Sequence, residues 1–244
     1  MVAAVGKAAA VLRAYGPAVE VLSTRALAAR TGIPRSTVHT LARTLAVEGL
    51  LEEVAGRGYR LGPLLVGLAG QIIERTGLVA AVEGALDPLL RVAGQEVHVG
   101  QLVGGWVVYL HRETGPIRPP MDNRVGLRAP AWRGGCGKAA LAQLPDAEVA
   151  ARVRRVCREE SMPVPDLPAL CAELDVGRQR GYLVSSSFQA GRTSVAAAVL
   201  GAAGPVGGLS VAGPSGLFTA AAVRRIGSDV VDAAGRAGAR LRRP

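Results

Sequence analysis

The stretch LSTRALAARTGIPRSTVHTLARTLAVEGLLEE, residues 22–53, decides how the first part of the chain folds. Ser23 offers a side-chain oxygen that caps a helix over residues 24–30, and Gly32 ends it. Gly32-Ile33-Pro34 makes a tight turn, and the next helix runs from about Arg35 to Val47, where Gly49 stops it. Helix, glycine turn and helix together are the helix-turn-helix pattern. Upstream, residues 5–15 are Ala-rich and helical until Gly16-Pro17. Downstream, residues 50–54 and 59–61 flank Gly56-Arg57-Gly58 and read as a two-stranded hairpin, which makes the pattern a winged variant.

The helix over 35–47 has two sides. At about 100° per residue, Val38, Leu41 and Leu45 fall together and face a core. Ser36, His39, Thr40 and Arg43 fall opposite, with Arg35 and Thr37 near the first turn. These donors and acceptors are of a size to reach base edges and phosphates in a major groove. Arg57, at the hairpin tip, reaches for a backbone phosphate or the minor groove. Arg25 and Arg60 complete the basic set expected to meet double-stranded DNA. A solvated surface helix has the same periodicity, but not the turn, the hairpin and the local charge together.

That charge is uneven. The chain carries +10 overall, from 29 basic and 19 acidic residues. Residues 1–47 hold Lys7, Arg13, Arg25, Arg30, Arg35 and Arg43 against Glu20 alone, half of the excess in a fifth of the length. A localised basic balance suggests a polyanionic partner. With 49% apolar residues among 244, the chain buries a real core and is not intrinsically disordered. Its apolar runs fall short of the roughly 18 residues of a membrane-spanning helix, so no membrane partner is expected. The opening MVAAVGKAAAVL lacks the basic start and cleavage site of a secretory signal. Cys136, Cys157 and Cys171 form no CxxC pair, which argues against a disulfide framework and a structural zinc site. A cytoplasmic setting is the expectation.

After Gly62-Pro63, residues 64–75 read as a helix with an apolar stripe, Leu64, Leu65, Leu68, Ile72 and Ile73, too apolar for solvent alone. Another helix is expected over 78–93, then strands over 97–103 and 106–111. Residues 115–135 read as loop, 137–144 and 146–159 as helices, and Asp166 caps a helix that ends at Gly181. Strands over 195–200 and 206–212 precede a helix opened by Thr219. The domains expected are a winged helix-turn-helix over 1–62, a linker helix over 63–78 and a mixed unit over 79–244. The fold class is α+β, the second unit having a mainly antiparallel sheet.

Several blocks resemble one family. VGKAAAVLRAYG (5–16), the stretch over 22–53 and GRGYRLGP (56–63) resemble the winged helix-turn-helix of IclR-type bacterial transcriptional regulators. VVYLHRETGP (107–116), GGCGKAALA (134–142), RGYLVSSSFQAGRTSVAAAVL (180–200) and VGGLSVAGP (206–214) extend the likeness over nearly the whole chain. The resemblance implies a DNA-binding homodimer or dimer of dimers on a (pseudo)palindromic operator, acting as a repressor. It also implies a GAF-like second domain in which a small metabolite adjusts operator affinity. Carried over by motif, the effector pocket comprises Gly135, Cys136, Ser185, Ser194, Ser210 and Ala212, with Trp132 as an apolar wall. The chain departs from the family pattern there. Ser185-Ser186-Ser187 replaces an acidic run, Ser194 a cysteine, Ala198 a proline and Trp132 a histidine. Neutral hydroxyls do not repel an anion, and a helix start at 134–137 favours one. A small organic acid or hydroxylated metabolite is the effector expected.

Enzyme motifs fail on inspection. Gly134-Gly135-Cys136-Gly137-Lys138-Ala139 lacks the first glycine and the hydroxyl of a P-loop, which Trp132 and Ala139 replace. Gly208-Leu209-Ser210-Val211-Ala212 lacks the last glycine of a nucleophile elbow. His98 and His111 have no metal-ligand spacing and read as strand histidines, and no carboxylate pair stands out. No catalytic residue, cofactor or metal is expected. Three alternatives remain: a redox sensor through Cys136 at a helix start, a ligand-free dimerisation scaffold, and an enzyme built on the same pocket.

Overall fold

The computed structural model describes residues 2–16, 20–90, 94–115, 125–186 and 190–243. Pro17, the end of the helix expected over 78–93, residues 116–124 of the expected loop and Ser187 lie outside the described residues. The chain divides into two compact units, Met1–Arg75 and Thr76–Pro244.

In the first unit α1 (Ala3–Arg13), α2 (Thr24–Thr31) and α3 (Arg35–Val47) precede a hairpin of β1 (Leu51–Val54) and β2 (Gly58–Leu61). The Ser23 side chain accepts from the Ala26 N–H, and Gly32 closes α2 in the left-handed conformation. Val11, Leu22, Leu27, Val38, Ala42, Leu45, Leu51 and Tyr59 form one buried cluster, so all three helices and the hairpin share a core. Leu22 and Tyr59 exchange two backbone hydrogen bonds of 2.9 Å, adding a third short arm to the wing. Gly58 is required there. Its φ is +121°, and a Cβ would lie 2.3 Å from the Leu22 carbonyl oxygen. Tyr15 ties α1 to the same place, its hydroxyl donating to the Tyr59 carbonyl at 3.0 Å. Burial, and then the neighbouring Tyr59, push the Tyr15 hydroxyl up to about 12. Next comes α4 (Leu64–Thr76), which buries none of its side chains in this chain.

The second unit is built on a six-stranded sheet of order β5-β4-β3-β8-β7-β6. The strands are β3 (Glu96–Val103), β4 (Trp106–Thr114), β5 (Arg128–Pro130), β6 (Leu183–Ser186), β7 (Arg192–Gly201) and β8 (Gly204–Pro214). Every described pairing is antiparallel. α5 (Leu78–Val82) and α9 (Ala220–Leu241) cover one face; α6 (Gly135–Leu141), α7 (Asp146–Glu159) and α8 (Leu167–Arg180) accompany the other. The α9 face is apolar: Val97, Val99, Val195, Ala197, Val199, Leu209 and Val211 pack on Leu78, Val82, Ile226, Val230 and Ala233. Burying each valine or leucine there contributes roughly 1.5–3 kcal/mol.

Three expectations differ from the structure. The helix expected over 78–93 ends at Val82, because Gly84 takes φ +69°; a 3-10 turn, Asp87–Leu90, follows. Ser185 sits in a strand, β6, where the sequence offers only a short Ser-rich run; pairing with β7 supplies what propensity does not. β5 lies within the expected loop and owes its existence to pairing with β4.

Candidate nucleic-acid interface and effector site

α3 presents the expected stripe. Val38, Ala42 and Leu45 are buried, while Arg35, Ser36, His39, Thr40 and Arg43 are exposed and Thr37 is partly buried. The Thr40 hydroxyl donates to the Ser36 carbonyl at 3.2 Å and keeps its acceptor lone pairs outward. Arg25 and Arg57 are also exposed. Among the described residues, Arg25, Arg35, Arg43 and Arg57 form no ion pair. Arg60 differs, because its guanidinium donates to both carboxylate oxygens of Glu52, at 2.9 and 2.7 Å. The bond from Arg60 lowers the Glu52 carboxyl from its ordinary range. Arg60 therefore shapes the wing first, and a phosphate must compete with Glu52 for it.

In the second unit the strand register collects the predicted pocket residues on the face opposite α9. One row across the sheet reads Ser185, Ser194, Ala212, Glu96 and Thr114. The next reads Leu183, Ala196, Ser210, His98 and Arg112. Ser185 and Ser194 hydroxyls lie 3.2 Å apart, and Ser194 also donates to the Ser185 carbonyl at 3.3 Å. The start of α6 lies directly on these rows: a Cβ on Gly135 would come 2.8 Å from Ser194 Oγ. Gly208 makes this approach possible, since a Cβ there would meet the Cys136 carbonyl oxygen at 2.3 Å. Cys136 is fully buried, and its single S–H has two acceptors in reach, Ser210 Oγ at 3.2 Å and the His98 carbonyl at 3.5 Å. That burial removes the access a redox-sensing thiol needs. Trp132 is a core residue, in a cluster with Leu141, Val149 and Val153 that also takes in Leu183 and Ala196 of the second row.

The same face holds Glu96 and Arg112, which sequence reading missed, beside His98, which it read as a strand histidine. His98 Nε2 lies 3.2 Å from Glu96 Oε1, and Arg112 bonds the other oxygen of Glu96. His98 stands edge-on to Tyr109 with ring centroids 5.6 Å apart. Glu96, His98, Ser185, Ser194 and Ser210 are each at most 5% exposed. Burial pushes the Glu96 carboxyl up, but His98 and Arg112 outweigh it and hold the group below its ordinary range. His98 is thus a strand histidine that belongs to a buried polar network with Glu96 and Arg112. The signal available was the spacing of Glu96 and His98 by two, which places both on one strand face. Among the described residues, no three His, Cys, Asp or Glu side chains gather as a metal site.

Comparison with known proteins places both units. A family profile described as "Bacterial transcriptional regulator IclR C-terminal" matches residues 70–237, and "IclR helix-turn-helix domain" matches residues 4–55. The chain belongs to the IclR family. It is a DNA-binding transcriptional regulator of α+β fold, and its relatives are regulators and not enzymes. The HTH-type transcriptional regulator KipR of Bacillus subtilis is 25% identical over 212 residues, covering 85% of each chain. The HTH-type transcriptional regulator BhcR of Paracoccus denitrificans is 29% identical, covering 85% of this chain and 76% of its own. A solved IclR homologue from Microbacterium hydrocarbonoxydans, complexed with 4-hydroxybenzoate, superposes with a TM-score of 0.76. It is 21% identical and covers 98% of each chain. Among the described residues, no helix of this IclR-family chain is long and apolar enough to cross a membrane.

Proposed function

We propose that this regulator reads a (pseudo)palindromic operator with α3 of two winged units, and that a small organic acid or hydroxylated metabolite tunes that binding. Arg43, His39, Thr40, Ser36, Thr37 and Arg35 meet the major groove, with Arg25, Arg57 and Arg60 toward the backbone. The effector lies on the sheet face of Ser185, Ser194, Ser210 and Ala212 beside Gly135 and Cys136. The protein acts in the cytoplasm as a repressor, the simplest outcome of a dimer occupying promoter DNA. The domain division is the winged unit over 1–62, the linker helix over 63–78 and the effector unit over 79–244.

The observation that carries the effector reading is the contrast between the two faces of one sheet. The α9 face is apolar, whereas the same strands bury Glu96, His98, Arg112 and three serines on the other. Buried polar groups cost free energy unless bonded, so a protein served by packing alone has no use for so many. A ligand hydroxyl or carboxylate can exchange with the Ser185–Ser194 bond without leaving either serine unsatisfied. The Microbacterium homologue, with a hydroxylated aromatic acid bound, supports this class.

The test is a screen by fluorescence anisotropy on a labelled operator, with hydroxylated and plain organic acids against cationic amines. Acids are expected to change operator affinity and amines are not; the reverse pattern overturns the reading. We also propose that α4 is a dimer contact, since Leu64, Leu68 and Ile72 are exposed along it. A stable monomer at micromolar concentration in light scattering removes that claim.

A further inference from the structure

Val47 is 86% exposed, more than any other large apolar side chain among the described residues. It is the last residue of α3, and its position on that helix is specific. At about 100° per residue, Val47 lies near 20° from Ser36, between Thr40 and Arg43 in the same stripe. The outward stripe thus runs from polar residues into one valine. From Ser36 to Val47 it spans about 16 Å along the helix, roughly five base-pair steps.

Val47 also lines an open cleft of about 500 Å³, together with Arg43, Ala46, Glu52, Glu53 and Pro63. The charges around it discriminate between possible occupants. Glu52 is neutralised by Arg60, and Glu53 forms no ion pair among the described residues. Arg43 and Glu53 on the lining carry opposite charges, so the cleft has no net charge to draw phosphate, and its exposed large apolar side chain is Val47. Of the groups on a major-groove floor, one is apolar, the C5-methyl of thymine.

We propose that Val47 reads a thymine through its C5-methyl, at the end of the half-site farthest from the base met by Ser36. This rests on α3 being the reading helix. It makes Val47 a specificity-determining residue beside the polar set, and it makes the operator A·T at one further position.

The experiment uses the full chain and an operator obtained by selection from random duplex DNA. Each thymine of a half-site is replaced in turn by deoxyuridine, which removes only the methyl group. One replacement is expected to weaken wild-type binding about fourfold, the worth of one buried methyl-sized group. In Val47→Ser and Val47→Ala that penalty disappears, while both variants unfold as the wild type does, because the side chain is exposed. No methyl-dependent thymine, or a penalty unchanged in both variants, overturns the proposal. A change of oligomeric state in the variants, with base preference intact, also overturns it and assigns the patch to a second copy. Arg43→Ala keeps the two readings apart. If it leaves affinity unchanged, the α3 assignment itself fails; if it weakens binding and no methyl is read, only the role of Val47 fails.

Discussion

The two units use polar side chains in opposite ways. The first displays them: Arg35, Ser36, His39, Thr40 and Arg43 stand exposed along one helix, and none of these arginines is held by an acidic partner among the described residues. The second hides them: Glu96, His98, Arg112 and three serines are buried on one sheet face, where the start of α6 packs on Ser194 and Ser210. An exposed stripe stays hydrated until a large polyanion replaces water and counterions along it. A buried face is already dry, so a small ligand there meets preformed partners in a low dielectric. The difference teaches that placement, more than residue type, separates a surface suited to DNA from the buried face proposed here for a metabolite.

The largest effect tests the buried side. Glu96→Ala leaves Arg112 and His98 without their shared carboxylate and is expected to cost about 3–5 kcal/mol of unfolding free energy. Urea unfolding followed by tryptophan fluorescence reads this directly, because Trp106 and Trp132 are the two tryptophans and both lie in the second unit. The pH dependence has a definite sign. Since Glu96 is lowered in the folded state, its contribution is complete above the ordinary carboxyl value of 4.5 and is lost as pH falls through the lowered one. In Glu96→Gln that part of the acid sensitivity is expected to vanish. A Glu96→Ala protein as stable as wild type would show that the network is ornamental.

The exposed side responds through affinity and not stability. Arg43→Ala is expected to cost roughly 1–3 kcal/mol of specific operator binding in a gel-shift titration, with the melting temperature unchanged. Unchanged affinity would remove α3 from the interface. The smallest effects separate two neighbouring wing arginines. Arg57→Ala should weaken binding to all sequences and flatten the salt dependence by about one unit of slope. Arg60→Ala should do less, because Glu52 already holds that guanidinium. Equal slopes for the two variants would break the distinction.

The same contrast explains what the sequence made legible. α3 was readable because a helix repeats locally: Val38 and Leu45 on one side and Arg43 on the other are visible within 11 residues. The serines, Gly135 and Cys136 were found through motif likeness, and the register then set them in adjoining rows. Glu96 and Arg112 fell just outside the strands read over 97–103 and 106–111, and His98 was read as a strand histidine without its partners. Only long-range pairing, His98 with Arg112 on one side and Ser210 on the other, buries them. Trp132 was placed by motif position alone; it packs in one buried cluster with Val149 and Val153 of α7 and with Leu183 and Ala196 of the sheet.

The central claim, that the exposed stripe serves DNA while the buried face serves a small acid, is tested most directly by one coupled titration. Operator affinity of the full chain is measured with and without the organic acid that acts most strongly in the screen, in wild type and in Ser185→Ala/Ser194→Ala. The account predicts an acid-dependent shift in the wild type within the usual 5–150-fold range of allosteric coupling, about 1–3 kcal/mol. It predicts that the double variant keeps its basal operator affinity and loses the shift. A shift of unchanged size in the double variant, or one produced by cationic amines and not by acids, would contradict it.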